Sequence, residues 1–244
     1  MRLRRFEEHL EVGFPKMLDP WHPALSEGRT LYPKRRVTAG RPDRLLKSGQ
    51  HSRKLGAVVQ KGAWRGMPIY TLTLEERATC PRTCKVWSTC FGNSMNFAER
   101  IEHGPELEEG LDVELRYLAR QHRRGFVARL HVLGDFYSVA YVKHWACWLA
   151  LIPQLHVFGY TAWQPDTEIG AAVRNLRTAQ WDRFAVRTSG APAGEPRTVV
   201  LPRVTDQNTI DGAIVCPAQS GRSACCATCA LCWSTKRDIA FMPH

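Results

Sequence analysis

Nine cysteines stand in the 244-residue chain, and eight of them fall in two tight groups. Cys80, Cys84 and Cys90 form a C-x3-C-x5-C run, and Cys216, Cys225, Cys226, Cys229 and Cys232 form the second group. An odd total of cysteines, most of them clustered, in a reducing compartment reads as metal ligands rather than a disulfide framework. Three thiolates from one loop can hold three irons of a [4Fe–4S] cluster and leave the fourth open to a substrate or cofactor. Zinc is the alternative metal, with His51 or His103 closing a Cys3His site. In the second group Cys226, Cys229 and Cys232 make C-x2-C-x2-C, and Cys216 sits ten residues upstream and is followed by Pro217. A close triplet with a distant Cys-Pro ligand is ferredoxin-like, whereas zinc favours separated C-x2-C pairs. Spacing therefore favours [4Fe–4S] over zinc here, with Cys225 spare or exchanging with Cys226.

These groups need elements to position them. Ile69 to Leu74 alternates with threonines and predicts a strand running straight into the first cysteine loop. Pro105 and Glu106 open a helix with Leu107, Leu111, Leu115 and Leu118 on one face, closing near Gly125. Phe126 to Leu133 predicts a strand ending at Gly134-Asp135. Ser138 caps a helix whose apolar face is Tyr141, Val142, Trp145, Trp148, Leu149 and Ile152, and Pro153 ends it. Cys147 lies inside that helix and is expected to be an inert buried thiol. Leu155 to Tyr160 is the next strand, Asp166 caps a further helix, and Phe184 to Arg187, Thr198 to Leu201 and Ala213 to Val215 are strand candidates.

Strand, helix, strand, helix with short loops predicts parallel pairing through crossovers. The expected fold class is α/β: an open or partial (βα)5–6 TIM-like barrel over residues 62–215, with a doubly wound sheet as the alternative. It would be flanked by an irregular basic N-terminal arm, 1–61, and a Cys-rich metal-binding segment, 216–244. Ligands of parallel sheets bind at strand C-termini, which makes Thr161, Arg187 and Ser189 cofactor-binding candidates. Asp135 also suits a plain capping role, and His131 suits the core.

The charge is uneven. The chain carries a formal net charge of +11, and residues 1–61 hold 14 Lys+Arg against 6 Asp+Glu while the remainder hold 20 against 17. A basic, Pro- and Gly-rich arm fits either a polyanion partner or a solvated wrap around the domain. Lys34, Arg35, Arg36, Arg53 and Lys54 are the nucleic-acid-binding candidates. The longest apolar run, Trp145 to Ile152, is far short of the roughly 20 residues a membrane span needs. The start, Met1-Arg2-Leu3-Arg4-Arg5, leads into Glu7 and Glu8 instead of an apolar stretch, so the expected location is the cytoplasm and no membrane partner is expected. No motif bears on oligomeric state.

A cysteine loop after the first strand, a helix, and a second strand ending in a glycine–acid pair together resemble the layout of radical S-adenosylmethionine enzymes. The resemblance implies that Cys80, Cys84 and Cys90 hold an open [4Fe–4S] cluster. It implies further that S-adenosylmethionine is chelated at the unique iron, with Gly134 and Asp135 facing its methionyl group and Asp135 the catalytic candidate. The usual C-x3-C-x2-C is widened here, Leu133 stands in place of the first glycine of that family's Gly-Gly-Glu, and Asp135 replaces its glutamate. The sequence also resembles the phage gene product 88 family. The matching pieces are Ser52-Arg53-Lys54-Leu55-Gly56, Thr79-Cys80-Pro81, His131 to Ser138 (HVLGDFYS), Trp145, Phe158-Gly159-Tyr160-Thr161 and Cys229-Ala230-Leu231-Cys232-Trp233. This second resemblance implies a fold and a cysteine architecture more than a reaction. The expectation that results is an iron–sulfur enzyme with one or two clusters acting on a nucleic acid or nucleotide. A non-enzymatic, metal-stapled nucleic-acid-binding module is the alternative.

Overall fold

A computed structural model describes residues 17–40 and 44–243. The charged start and residues 41–43 of the basic arm lie outside the described residues. In chain order the elements are α1 (Pro23–Glu27), β1 (Arg36–Val37), β2 (Lys47–Ser48), β3 (Ile69–Thr71), β4 (Arg100–Ile101), α2 (Pro105–Gln121), β5 (Phe126–Leu130), α3 (Val139–Leu151), β6 (Leu155–Thr161), α4 (Glu168–Gln180), β7 (Phe184–Ser189), β8 (Arg197–Val200), β9 (Thr209–Ile210), β10 (Ala213–Val215), α5 (Cys226–Cys229), α6 (Leu231–Ser234) and β11 (Ile239–Phe241).

Nine strands form one sheet in the order β2-β3-β5-β6-β7-β8-β11-β10-β9. From β3 to β10 every neighbouring pair is parallel, and β2 and β9 add antiparallel edges. The order is linear, so the sheet is open and no closed barrel forms among the described residues. The molecule is a mixed α/β fold with a large, mostly parallel sheet. β1 and β4 make a separate parallel pair. Among the described residues no helix is long and apolar enough to cross a membrane.

The sheet has two differently dressed faces because side chains alternate along a strand. Phe126, Ala128, Leu130, Leu155, Val157, Phe184 and Val186 pack with Leu107, Leu111, Leu115, Trp145 and Leu149 in the main core, under α2, α3 and α4. The opposite face carries Ile69, Val127, Phe158 and Ala185, which pack with Leu55, Val59, Trp64, Cys226, Cys232 and Trp233. Trp64 and Trp233 stack nearly parallel there, with ring centroids 5.3 Å apart. The arm and the C-terminal cysteine segment therefore meet on the face that the helices leave bare.

Helix starts follow local chemistry. Pro105 stands in the first turn of α2 with Glu106 and Glu108, a favourable charge near the helix N-terminus. Ser138 Oγ accepts the Tyr141 N–H at 3.0 Å to cap α3. For α4 the cap is Thr167 and not Asp166: Thr167 Oγ1 accepts the Gly170 N–H at 3.1 Å and donates to Gln164 O at 2.7 Å, while Asp166 is exposed. A second correction concerns Cys147, which is exposed. It lies two residues past buried Trp145, and two positions on a helix turn a side chain to nearly the opposite face.

Candidate functional site

The first cysteine loop is braced by buried charge. Arg100 and Glu76, both essentially without solvent exposure, pair through Nε and Oε2 at 2.9 Å. Arg100 also donates to Met95 O at 2.9 Å and Gly92 O at 3.1 Å. Arg77, in the left-handed region at φ +65°, donates to Asn93 Oδ1 at 2.5 Å and Trp87 O at 3.1 Å. Two arginines thus tie residues 87–95 to the segment leaving β3, and the loop is fixed by carbonyl and carboxylate partners that a sequence reading of its cysteines does not suggest. Thr30 adds a stitch from the arm, through its N–H to Glu75 and its hydroxyl to Glu76.

Cys80, Cys84 and Cys90 are half-buried free thiols on this loop. Burial raises all three pKa values, and for Cys80 the charges of Asp135, Cys90 and Cys84 push it further. The three thiols and Asp135 therefore share one electrostatic neighbourhood. Asp135 is itself buried, with Phe136 N–H donating to Oδ1 at 2.8 Å and Ala162 N–H to Oδ2 at 2.7 Å. Burial pushes its carboxyl up to about 7, against those two N–H groups and the Thr161 hydroxyl, which hold it down. Thr161 thus supports Asp135. Gly134 adopts φ +81°, and a Cβ there would lie 2.6 Å from Thr79 Oγ1 and 2.7 Å from Leu74 Cβ. Its lack of a side chain serves close packing of β3's extension against the end of β5.

The second group is assembled from segments some 170 positions apart in the chain. Cys226 N–H donates to Lys54 O at 2.9 Å, Ala227 N–H to Leu55 O at 2.8 Å, and Gln60 N–H to Ala227 O at 2.9 Å. Gly56, at φ +81°, lies where a Cβ would meet Cys225 Sγ at 2.7 Å. The Ser52–Gly56 stretch is therefore a strap across α5. Cys216, Cys226, Cys229 and Cys232 are buried free thiols. Burial pushes Cys216 up to about 11 and raises Cys226 and Cys229, while the Lys54 charge pulls Cys216 and Cys226 back down. Tyr160 donates its hydroxyl to Cys232 Sγ at 3.0 Å.

Other candidates fall as follows. Arg187 is buried and donates to the carbonyls of Cys232 at 2.9 Å, Arg237 at 2.8 Å, and Thr235, so it ties down the end of α6. Ser189 Oγ accepts from Thr198 at 3.3 Å, joining β7 to β8. Lys34, Arg35, Arg36 and Arg53 are exposed. Arg36 is paired with Glu75 at 2.9 Å and Glu102 at 2.5 Å, while Arg35 lies over the Phe97 ring. Lys54 instead turns to the second cysteine group. His131 is buried beside Tyr141, and burial with the Arg129 charge lowers it to about 3. His103 packs on Tyr137 and His51 is exposed.

A cavity of about 710 Å³ opens between the loop of the first group and the second group, lined by three cysteines of the second and none of the first. Its lining includes Val86 and Thr89 of the first loop, Arg129 and Val132 at the end of β5, Tyr160, and Cys216, Cys226 and Cys232. Arg129 and Lys54 were not singled out with the cysteines in the sequence. The one available signal was Arg129's position on the strand face opposite to Phe126, Ala128 and Leu130.

Among the described residues, no group of three or more His, Cys, Asp and Glu side chains is arranged to hold a single metal ion. Comparison of the chain with protein-family models, with curated proteins and with solved structures gives no match.

Proposed function

We propose that the chain is a cytoplasmic iron–sulfur enzyme of radical-S-adenosylmethionine type, built on an open, TIM-like partial (βα) barrel. The observation that carries the reading is the placing of Asp135 beside the first cysteine loop, its N–H donating to Thr79 Oγ1 at 3.0 Å next to Cys80. Both lie past the C-terminal ends of adjacent parallel strands β3 and β5, the edge at which such sheets bind ligands.

Cys80, Cys84 and Cys90 would hold a [4Fe–4S] cluster with one open iron, and Cys216, Cys226, Cys229 and Cys232 a second. An open-iron cluster supplies a single electron to a ligand such as S-adenosylmethionine. The protein's own part is definite. Each thiol gives up its proton on ligation, and burial makes that step more costly at Cys80, Cys84, Cys90, Cys216, Cys226 and Cys229. Lys54 and Arg129 offset the negative charge at Cys226, and Tyr160 donates to the sulfur of Cys232. Asp135, held by Phe136, Ala162 and Thr161, presents an oriented carboxyl that holds or releases a proton near neutral pH. Exposed Lys34, Arg35 and Arg53 would attract a nucleic acid or nucleotide.

The same exposed cations favour a second reading, a non-enzymatic module that binds nucleic acid and is stapled by a structural metal, zinc or iron–sulfur. Metal content after anaerobic purification tests the two. Roughly eight irons per chain with broad absorption near 400 nm is the expected result for two four-iron clusters. A colourless zinc protein that takes up no iron on reconstitution overturns the enzyme. Cys84→Ala should abolish cleavage of S-adenosylmethionine in a protein that stays folded, whereas unfolding by that change would mark a structural metal.

A further inference from the structure

The widened spacing between Cys84 and Cys90 has a structural use. Val86 and Thr89, both inside that five-residue gap, line the cavity between the cysteine groups, and Phe91 and Met95 continue the same wall. A two-residue gap would have no residues to spare for it. The facing wall is largely apolar too, from Leu55, Val200, Phe241 and Met242.

The apolar lining is broken by Lys54, by Tyr160 and the thiols of Cys216, Cys226 and Cys232, and by Arg129. Arg129 has no carboxylate within ion-pair distance among the described residues. Its guanidinium donates to the carbonyls of Leu130 and His131, the latter at 3.1 Å, and lies over the rings of Tyr160 and Phe158 at 4.6 and 5.5 Å. Such contacts fix its direction without supplying a carboxylate, and the groups set against its charge are Tyr160, Cys226 and Cys232. A fixed, partly desolvated guanidinium on the wall of an apolar cavity calls for an oxyanion.

We propose that this cavity binds a small organic anion, its apolar or aromatic body along Val86, Phe91 and Met95 and its carboxylate or phosphate on Arg129. The volume suits a single small molecule rather than a strand of nucleic acid. As a statement about substrate, the assignment rests on the iron–sulfur reading. As a statement about binding, it does not.

The probe is 8-anilinonaphthalene-1-sulfonate, an aromatic anion, set against N-phenyl-1-naphthylamine, the same body without the sulfonate. The full chain is expected to bind one sulfonate probe per molecule. Arg129→Met should weaken that binding 10- to 100-fold, the range of a lost charge-assisted contact, and leave the neutral probe unchanged. Arg129→Lys should retain most of the affinity, which guards against misreading a folding defect. Val86→Trp, which fills the cavity from the loop side, should weaken both probes. Displacement by 1-naphthoate or by 1-naphthyl phosphate identifies the head group, and displacement by neither overturns the proposal. So does equal binding of the sulfonate by Arg129→Met and the parent chain. Iron content separates the two readings. Iron-free protein that binds the probe through Arg129 sinks the clusters alone, and iron-loaded protein that binds no probe at one-to-one sinks the anion site alone.

Discussion

Tyr160 and Cys232, on β6 and α6, meet through a hydroxyl-to-sulfur hydrogen bond of 3.0 Å. A donor aimed at a cluster sulfur stabilises the more negative, reduced state and raises the reduction potential. Tyr160→Phe removes that donor and keeps the ring. One net hydrogen bond of about 1 kcal/mol corresponds to roughly 40 mV for a one-electron couple. The potential of the proposed second cluster should fall by that amount in an anaerobic redox titration, with iron content unchanged. An unchanged midpoint would mean that Cys232 is not a cluster ligand.

The Glu76–Arg100 pair should be the costliest single point in the first loop. Glu76→Gln strands a buried guanidinium, and breaking such a pair costs about 3–5 kcal/mol. Urea denaturation should show that loss, and Cys90 should become more reactive toward alkylation because Arg100 no longer holds Gly92 and Met95. Pairing the change with Arg100→Met should recover a large part of the stability. A single variant as stable as the parent would show that the ion pair does not fix the loop.

Gly134→Ala introduces two faults at once. The residue stands at φ +81°, and its new Cβ would press on Thr79 Oγ1 and Leu74 Cβ. Left-handed strain and overpacking together should cost about 2–4 kcal/mol. Thr79→Ala removes one of the colliding atoms, so the double variant should be less destabilised than the sum of the singles. Strict additivity would show that backbone strain alone is at work.

The local patterns that predict α2, α3 and β6 are those that recur in the structure, because leucine spacing, a Ser138 cap and an apolar run are set by near neighbours. The tight cysteine spacings marked both groups for the same reason. What the sequence did not reveal depends on distant partners. Lys47–Ser48 becomes an edge strand only because Tyr70 and Thr71 lie beside it, and Ile239–Phe241 enters the sheet only between β8 and β10. Lys54 read as one more arm cation until the chain's fold placed its carbonyl on Cys226 and its charge among the thiols. Arg100 and Arg187 add to the net charge as any arginine does, yet both are buried staples whose acceptors no local pattern announces.

The pH dependence of stability should carry opposed contributions from two buried groups at the end of β5. Asp135 has its folded pKa raised to about 7, so the stability it contributes is full below the unfolded value of roughly 4 and is lost as pH rises through 7. His131 has its folded pKa lowered to about 3, so its contribution is full above roughly 6.5 and is lost as pH falls through 3. Each slope is at most about 1.4 kcal/mol per pH unit, and they oppose each other between about pH 4 and 6.5. In metal-free protein these two contributions should therefore largely cancel across that window in chemical denaturation, leaving the net slope to the other shifted groups, Glu114, His122 and His156. Asp135→Asn should unmask the histidine, giving stability that rises with pH, and His131→Gln should unmask the aspartate, giving stability that falls. Parallel profiles for the two variants would show that these groups do not govern the window, because opposite slopes are what their opposite shifts require.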